Sequence, residues 1–285
     1  MAEIKATLVN ELRKRTGLGL MECKALLKET DGDLTKAETL AQEQGKLKAA
    51  NRAGRAANAG RVEVLLGADG KSGAMIELNS ETDFVARNDD FRQMARELAA
   101  LVLKLQTSDL ETVLNAKLPS QGKTVREALV DLNARTGENV GLSRVAAFSG
   151  AGQVDFYIHH DNMKGALVQL SKPAEPSLAK DVAMHIVAAP IKPQAVRREE
   201  VSSELAAEQK RIYSTQIANQ MADKPEQVRD KIATGKMEAW YKEIVLLEQE
   251  FIKDPAKKIR DVVGGGGGDT TVERFARFFV GEAAE

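Results

Sequence analysis

The chain has 285 residues and a mass of 30.9 kDa, with 43% hydrophobic and 29% charged residues, enough for two or three folded units with buried cores. A formal net charge of −1 and no long basic block argue against a general nucleic-acid binder, which needs a concentrated positive face. The single cysteine, Cys23, excludes a disulfide framework. No apolar run approaches the roughly 18 residues of a membrane span, and Met1-Ala-Glu-Ile-Lys5 has no signal core, so a cytoplasmic location is expected.

Residues 1–43 read as a small helical bundle. Leu8, Val9 and Leu12 share one helical face and Thr16-Gly17 stops that helix; Leu20, Cys23, Leu26 and Leu27 mark a second; Asp33 caps a third carrying Leu34, Ala37, Leu40 and Ala41. Cys23 lies on the apolar side and reads as a packing residue. Three short helices with tight turns resemble the ubiquitin-associated type. Residues 44–60, rich in Ala and Gly, read as a connector, and Lys46, Lys48, Arg52 and Arg55 are its nearest approach to a basic patch.

Val62, Val64 and Leu66 alternate as a strand, Asp69-Gly70 turns, and Ala74, Ile76 and Leu78 form its partner. The sequence then changes period through Ser80-Glu-Thr-Asp83-Phe84-Val-Ala-Arg-Asn88. Beyond it a helix carries Phe91, Ala95, Leu98, Val102 and Leu105, and another spans 123–135. The pattern recurs. Val154, Phe156 and Ile158 alternate, Asp161-Asn162 turns, Gly165–Leu170 forms the partner strand, and a helix carries Leu178, Val182, Ile186 and Ala189. GAMIELN at 73–79 and GALVQLS at 165–171 occupy the same slot of a strand–strand–helix repeat. Where the first copy inserts the Asp83-Phe84 segment, the second has only Lys172–Ser177 with two prolines.

Residues 196–255 read as charged helix broken at Lys224-Pro225, a projecting antiparallel hairpin with a thin apolar seam of Val201, Leu205, Ile212, Val228 and Ile232. Helix is expected to resume from Trp240 to Phe251. Gly264–Gly268 reads as a flexible loop, and Phe275–Val280 as a last strand joining one of the sheets. The fold class expected is therefore α+β, with a first core subdomain at 61–138 and a second built from 139–195 and 256–285.

Few chemical constellations survive inspection. Gly70-Lys71-Ser72 follows a strand, but Leu65 stands where a phosphate loop needs glycine. His159-His160-Asp161 sits at a hairpin turn with no third ligand at useful spacing, and adjacent strand residues face opposite ways, so no metal site is expected. His185 lies on the apolar side of its helix and reads as a core or interface residue. Asp83 and Phe84 admit two readings, a cap with a core aromatic or an exposed grip for a partner. Because the second repeat manages without them, the partner reading is preferred.

Two motifs carry a resemblance. Thr16-Gly-Leu-Gly-Leu-Met-Glu-Cys-Lys-Ala-Leu26 and Thr82-Asp-Phe-Val-Ala-Arg-Asn88 are similar to the N-terminal and internal signatures of bacterial elongation factor Ts, the guanine-nucleotide exchange factor of elongation factor Tu. Arg144-Val145-Ala146, Met184-His185 and Arg277-Phe278 add weaker similarity. The resemblance implies a translation factor without covalent chemistry, metal or cofactor, whose partner is elongation factor Tu; neither nucleotide nor nucleic acid is bound directly. It assigns exchange contacts to Thr82, Asp83, Phe84, Val85, Arg87 and Asn88. It assigns N-terminal contacts to Arg13, Thr16, Gly17, Leu18, Gly19, Leu20 and Met21, and core contacts to His159, Met184 and His185. The alternative is a protein- or ribosome-binding adaptor that uses the N-terminal bundle without exchange activity.

Overall fold

The computed structural model describes residues 4–52, 54–222, 224–265 and 269–282, and in it the two repeated strands are the centres of two three-stranded antiparallel sheets. The first sheet orders β1 (Ala59–Leu66), β2 (Ser72–Ser80) and β3 (Gly141–Ser149). The second begins with β4 (Val154–Ile158) and β5 (Lys164–Leu170). After a separate hairpin of β6 (Glu250–Phe251) and β7 (Asp254–Lys258), it is completed by β8 (Val272–Phe279). The last strand thus joins a sheet, as expected of this apolar segment. Pairing of β3 with β2 was not expected: residues 141–149 fell in the second predicted subdomain, yet they finish the first sheet.

Strand alternation sorts the side chains into layers. On β2, Ala74, Ile76 and Leu78 face helices, while Met75 joins Val62, Val64, Ala146 and Phe148 against the other sheet. On β5, Ala166, Val168 and Leu170 face helices and Leu167 faces the first sheet. The glycines that open the two repeats mark the closest approach. A Cβ on Gly73 would stand 2.8 Å from Val154 Cγ1, and one on Gly165 would stand 2.9 Å from Val62 Cγ1. Neither position tolerates a side chain unless the sheets separate.

The repeat also extends to the third strands. Arg144-x-Ala146-x-Phe148 on β3 matches Arg274-x-Ala276-x-Phe278 on β8. Arg144 lies opposite buried Glu77 with Nε 2.6 Å from Oε2, caps the Phe278 ring at 4.7 Å and donates to Phe279 O. Arg274 lies opposite buried Gln169 with Nε 2.7 Å from Oε1, caps the Phe148 ring at 4.5 Å and donates to Ser149 O. Each sheet supplies the ring that the other sheet's arginine covers.

Helices α1 (Ala6–Thr16), α2 (Leu20–Glu29) and α3 (Leu34–Arg52) form the N-terminal bundle around Leu12, Cys23, Leu26 and Leu27. Helix α3 runs through the first half of the expected connector; the side chains of Lys46 and Lys48 lie outside the described residues. The outer face of the first sheet is covered by α4 (Asp83–Ala86), α5 (Asp89–Leu105), α6 (Leu110–Asn115) and α7 (Val125–Thr136). The second sheet is covered by α8 (Leu178–Ala188). Helices α9 (Ser203–Gln220) and α10 (Glu226–Ile244) pair as the expected arm, and α11 (Ile259–Gly265) closes the second core. The arm's seam is thin, since Leu205, Ile212 and Val228 remain exposed.

Two expectations are corrected. Helix does not continue to Phe251: it ends at Ile244, and the β6–β7 hairpin follows, with Pro255 inside β7, where a helix interior would lose a hydrogen bond. Gly264 and Gly265 belong to α11, so only Gly266–Gly268 of the glycine run lie outside the described residues.

Candidate functional site

The Asp83-Phe84 segment begins where β2 ends. Thr82 is extended (φ −128°, ψ 158°) and caps α4, its Oγ1 accepting the Val85 N–H at 3.4 Å. Six residues after Thr82, Asn88 repeats the device, its Oδ1 accepting the Asp90 N–H at 2.8 Å to start α5. The chain therefore makes one helical turn between two caps. That turn sends Ala86 and Val85 inward against the first core and leaves Phe84 83% exposed. Among the described residues no large hydrophobic side chain is more exposed. Asp83 and Arg87 pair across the turn at 3.0 Å with both side chains in solvent. The core-aromatic reading of Phe84 is thereby excluded; the capping is done by Thr82 and Asn88.

Beside this turn lies a cleft of about 430 Å³ between β1, α4 and the β4–β5 turn, reached by Asp83, Arg61, Arg87, Arg92 and His160. The Val62 N–H donates to Asn162 O at 2.7 Å, which ties the turn to the first sheet. His159 and His160 lie beyond the end of β4, with ring centroids 4.2 Å apart, so the alternation argument that separated them does not hold at the turn. No group of three or more potential metal-binding side chains occurs among the described residues. His159 is half-buried, its Nδ1 3.4 Å from the Tyr157 hydroxyl.

His185 is only 2% exposed. Its Nδ1 accepts the Ile252 N–H at 3.3 Å, which leaves Nε2 as the donor to Gln249 Oε1 at 2.9 Å. Burial lowers its pKa, and the bond to Gln249 opposes that shift. A neutral, doubly bonded imidazole has no face left for a partner, so His185 is a core residue. Met184 is half-buried.

In the N-terminal bundle, Arg13 and Gly19 are exposed, as are Leu20 (46%) and Met21 (79%). Leu18 is core. Thr16 is occupied locally, donating to Leu12 O and accepting the Leu18 N–H, and the Arg135 side chain of α7 lies across Gly17 (φ 71°). Of the seven bundle residues, Arg13, Gly17, Gly19, Leu20 and Met21 are exposed, whereas Thr16 is half-buried and Leu18 is buried. The same helix receives the end of α3, where Arg52 donates to Asn133 O at 3.0 Å and Ala134 packs on the bundle core.

Sequence reading missed the residues that hold the turn from outside. Glu138 accepts both the Thr82 N–H and its hydroxyl, and Glu81 accepts the Asn139 N–H and pairs with Arg55. The only local signal was Gly137, whose left-handed conformation (φ 77°) stops α7 just before Glu138.

A family model described as "Elongation factor TS" matches residues 81–282, from the start of this turn to the end of the last sheet. The chain belongs to the elongation factor Ts family. Proteins named "Elongation factor Ts" from Clostridium botulinum (strain Alaska E43 / Type E3), Prosthecochloris aestuarii and Chlorobaculum tepidum are 40%, 38% and 42% identical to it. The alignments cover 99%, 99% and 92% of this chain and 94%, 100% and 92% of the relatives. Membership of the elongation factor Ts family makes the chain a translation elongation factor. No helix among the described residues is long and apolar enough to cross a membrane.

Proposed function

We propose that the chain accelerates release of GDP from elongation factor Tu, with Phe84 as an apolar wedge and Asp83 as a polar anchor beside the partner's nucleotide and magnesium site. The observation that carries this reading is Phe84 itself, 83% exposed on a turn capped at both ends. Burying a phenylalanine is worth about 1.5–3 kcal/mol, and here a partner, not the fold, receives it. Val85 backs the turn, Arg87 pairs with Asp83, and Thr82 and Asn88 hold the ends. Arg13, Gly17, Gly19, Leu20 and Met21 form the second proposed contact, in a module of residues 1–43, and His159 and Met184 belong to the core contact. The two sheet-centred halves and the arm of residues 196–255 complete the proposed domain organisation, and the cytoplasm is the proposed location.

Exchange of this kind breaks no bond. A factor that weakens GDP binding is itself weakened equally by GDP, and a coupling of about 3 kcal/mol corresponds to roughly 150-fold in affinity. Wedge and anchor would act by disturbing the groups around magnesium and phosphate, so that the nucleotide leaves faster. Release of a fluorescent GDP analogue from elongation factor Tu, followed with and without the chain, tests the reading directly. Binding without acceleration would leave the adaptor alternative instead. Phe84→Ala is expected to slow release while the thermal unfolding midpoint stays unchanged, because the ring makes no core contact.

A further inference from the structure

The turn that carries Phe84 cannot hold itself. One helical turn fixes several backbone dihedrals for a single hydrogen bond, so an isolated turn is unfavourable. Phe84 adds no packing, and α4 rests on the first core only through Ala86, which is buried, and Val85, which is partly so. What fixes the entry of the turn comes from outside it, and Glu138 supplies two of its hydrogen bonds.

Both oxygens of this carboxylate are spent on one residue. Oε2 accepts the Thr82 N–H at 3.1 Å and Oε1 accepts the Thr82 hydroxyl at 2.6 Å. With its proton committed to Glu138, the hydroxyl turns a lone pair to the Val85 N–H, so the cap of α4 is set by the clamp. Ser80 Oγ donates to Thr82 O at 2.9 Å and fixes the next peptide. Glu138 is in turn held at the end of α7, where its own N–H donates to Thr136 Oγ1 at 3.4 Å. A second glutamate returns the arrangement. Glu81 Oε1 accepts the Asn139 N–H at 2.7 Å and lies 3.5 Å from Arg55, whose carbonyl accepts from Asn139 Nδ2 at 2.9 Å.

We propose that Glu138 is a positioning residue for nucleotide exchange, acting through Thr82 to fix the direction in which α4 presents Asp83 and Phe84. A turn ordered in advance spares the complex the entropy of ordering it. The inference rests on the exchange reading above, and its test keeps the two apart.

GDP release from elongation factor Tu is measured against factor concentration for the wild type and for Glu138→Ala, Glu138→Gln, Phe84→Ala and the Glu138→Ala/Phe84→Ala pair. Glu138→Ala is expected to lower the maximal exchange rate about tenfold, equivalent to about 1.4 kcal/mol. Glu138→Gln, which keeps an acceptor but loses the charge, should fall between it and the wild type. The double variant should be no slower than Phe84→Ala alone, because a misdirected wedge and a missing one fail at the same step. Amide hydrogen exchange of Glu138→Ala should rise at 84–88 and stay unchanged in β2. Normal exchange by Glu138→Ala beside slow exchange by Phe84→Ala would overturn the positioning role alone, whereas normal exchange by Phe84→Ala would overturn the wedge itself. Loss of protection spreading into β2 and α5 would make Glu138 a residue of general stability and also defeat the proposal; if Glu138→Ala does not fold, Glu138→Gln carries the same comparison.

Discussion

His185 shows what one residue can decide. Helical spacing put it on the same side as Val182, Ile186 and Ala189, which argues for burial, whereas family resemblance suggested a partner contact. Burial at 2% exposure sides with the spacing. Phe84 was legible for the opposite reason: the second repeat dispenses with the segment that carries it, so its ring had no structural duty to explain it. Glu138 was not legible, because its partner Thr82 is 56 residues away and nothing local marks the pair. His185 also has a consequence for acid stability. Its folded-state pKa is lowered by burial, so between that value and the unfolded value of about 6.5 only the unfolded chain takes up the proton. Its contribution to stability is complete above about pH 6.5 and is lost as pH falls through the folded value. Thermal midpoints of the wild type should therefore drop more between pH 7.5 and 5.5 than those of His185→Gln, and equal drops would remove His185 from the account.

At the scale of the element, the arm depends on its base more than on its seam. Its helices bury little: Ile217 on α9, and Ala233, Trp240 and Ile244 on α10. Arg198, just before α9, donates to Glu238 on α10 and to Glu248 just beyond it, and its guanidinium stacks on Tyr241 at 4.8 Å. The two carboxylates raise the arginine pKa, and Arg198 lowers those of Glu248 and Glu238. Planar, forked recognition of this kind is not available to lysine. Arg198→Lys is expected to leave the sheets intact and raise amide exchange throughout α9 and α10; unchanged exchange there would mean that the seam suffices. The arm was readable from charge and the Lys224-Pro225 break. Its clamp was not, because an arginine in a charged stretch looks like any solvated one.

Over the whole molecule, the repeat seen in β2 and β5 turned out to include β3 and β8. The Arg-x-Ala-x-Phe match was present in the sequence, yet 130 residues separate the copies and strands of one sheet are not consecutive. The two copies differ where it matters energetically. Arg144 neutralises the buried carboxylate of Glu77, whereas Arg274 meets the neutral amide of Gln169. Removing one partner of a buried ion pair costs about 3–5 kcal/mol. An unsatisfied neutral group costs about 1–3 kcal/mol. Arg144→Met should thus lower the urea midpoint more than Arg274→Met does; the reverse order would mean that ring stacking, common to both, dominates. Reciprocal capping of Phe278 and Phe148 also sets a schedule for synthesis. A ribosome that has just made β3 must add residues up to Phe278 before Arg144 has its ring, which takes roughly 6–26 s at ordinary elongation rates. Until then the second sheet has only β4 and β5, Arg144 lacks its ring and Phe148 its Arg274 cap, so a translation factor built this way matures only when its own translation is almost done.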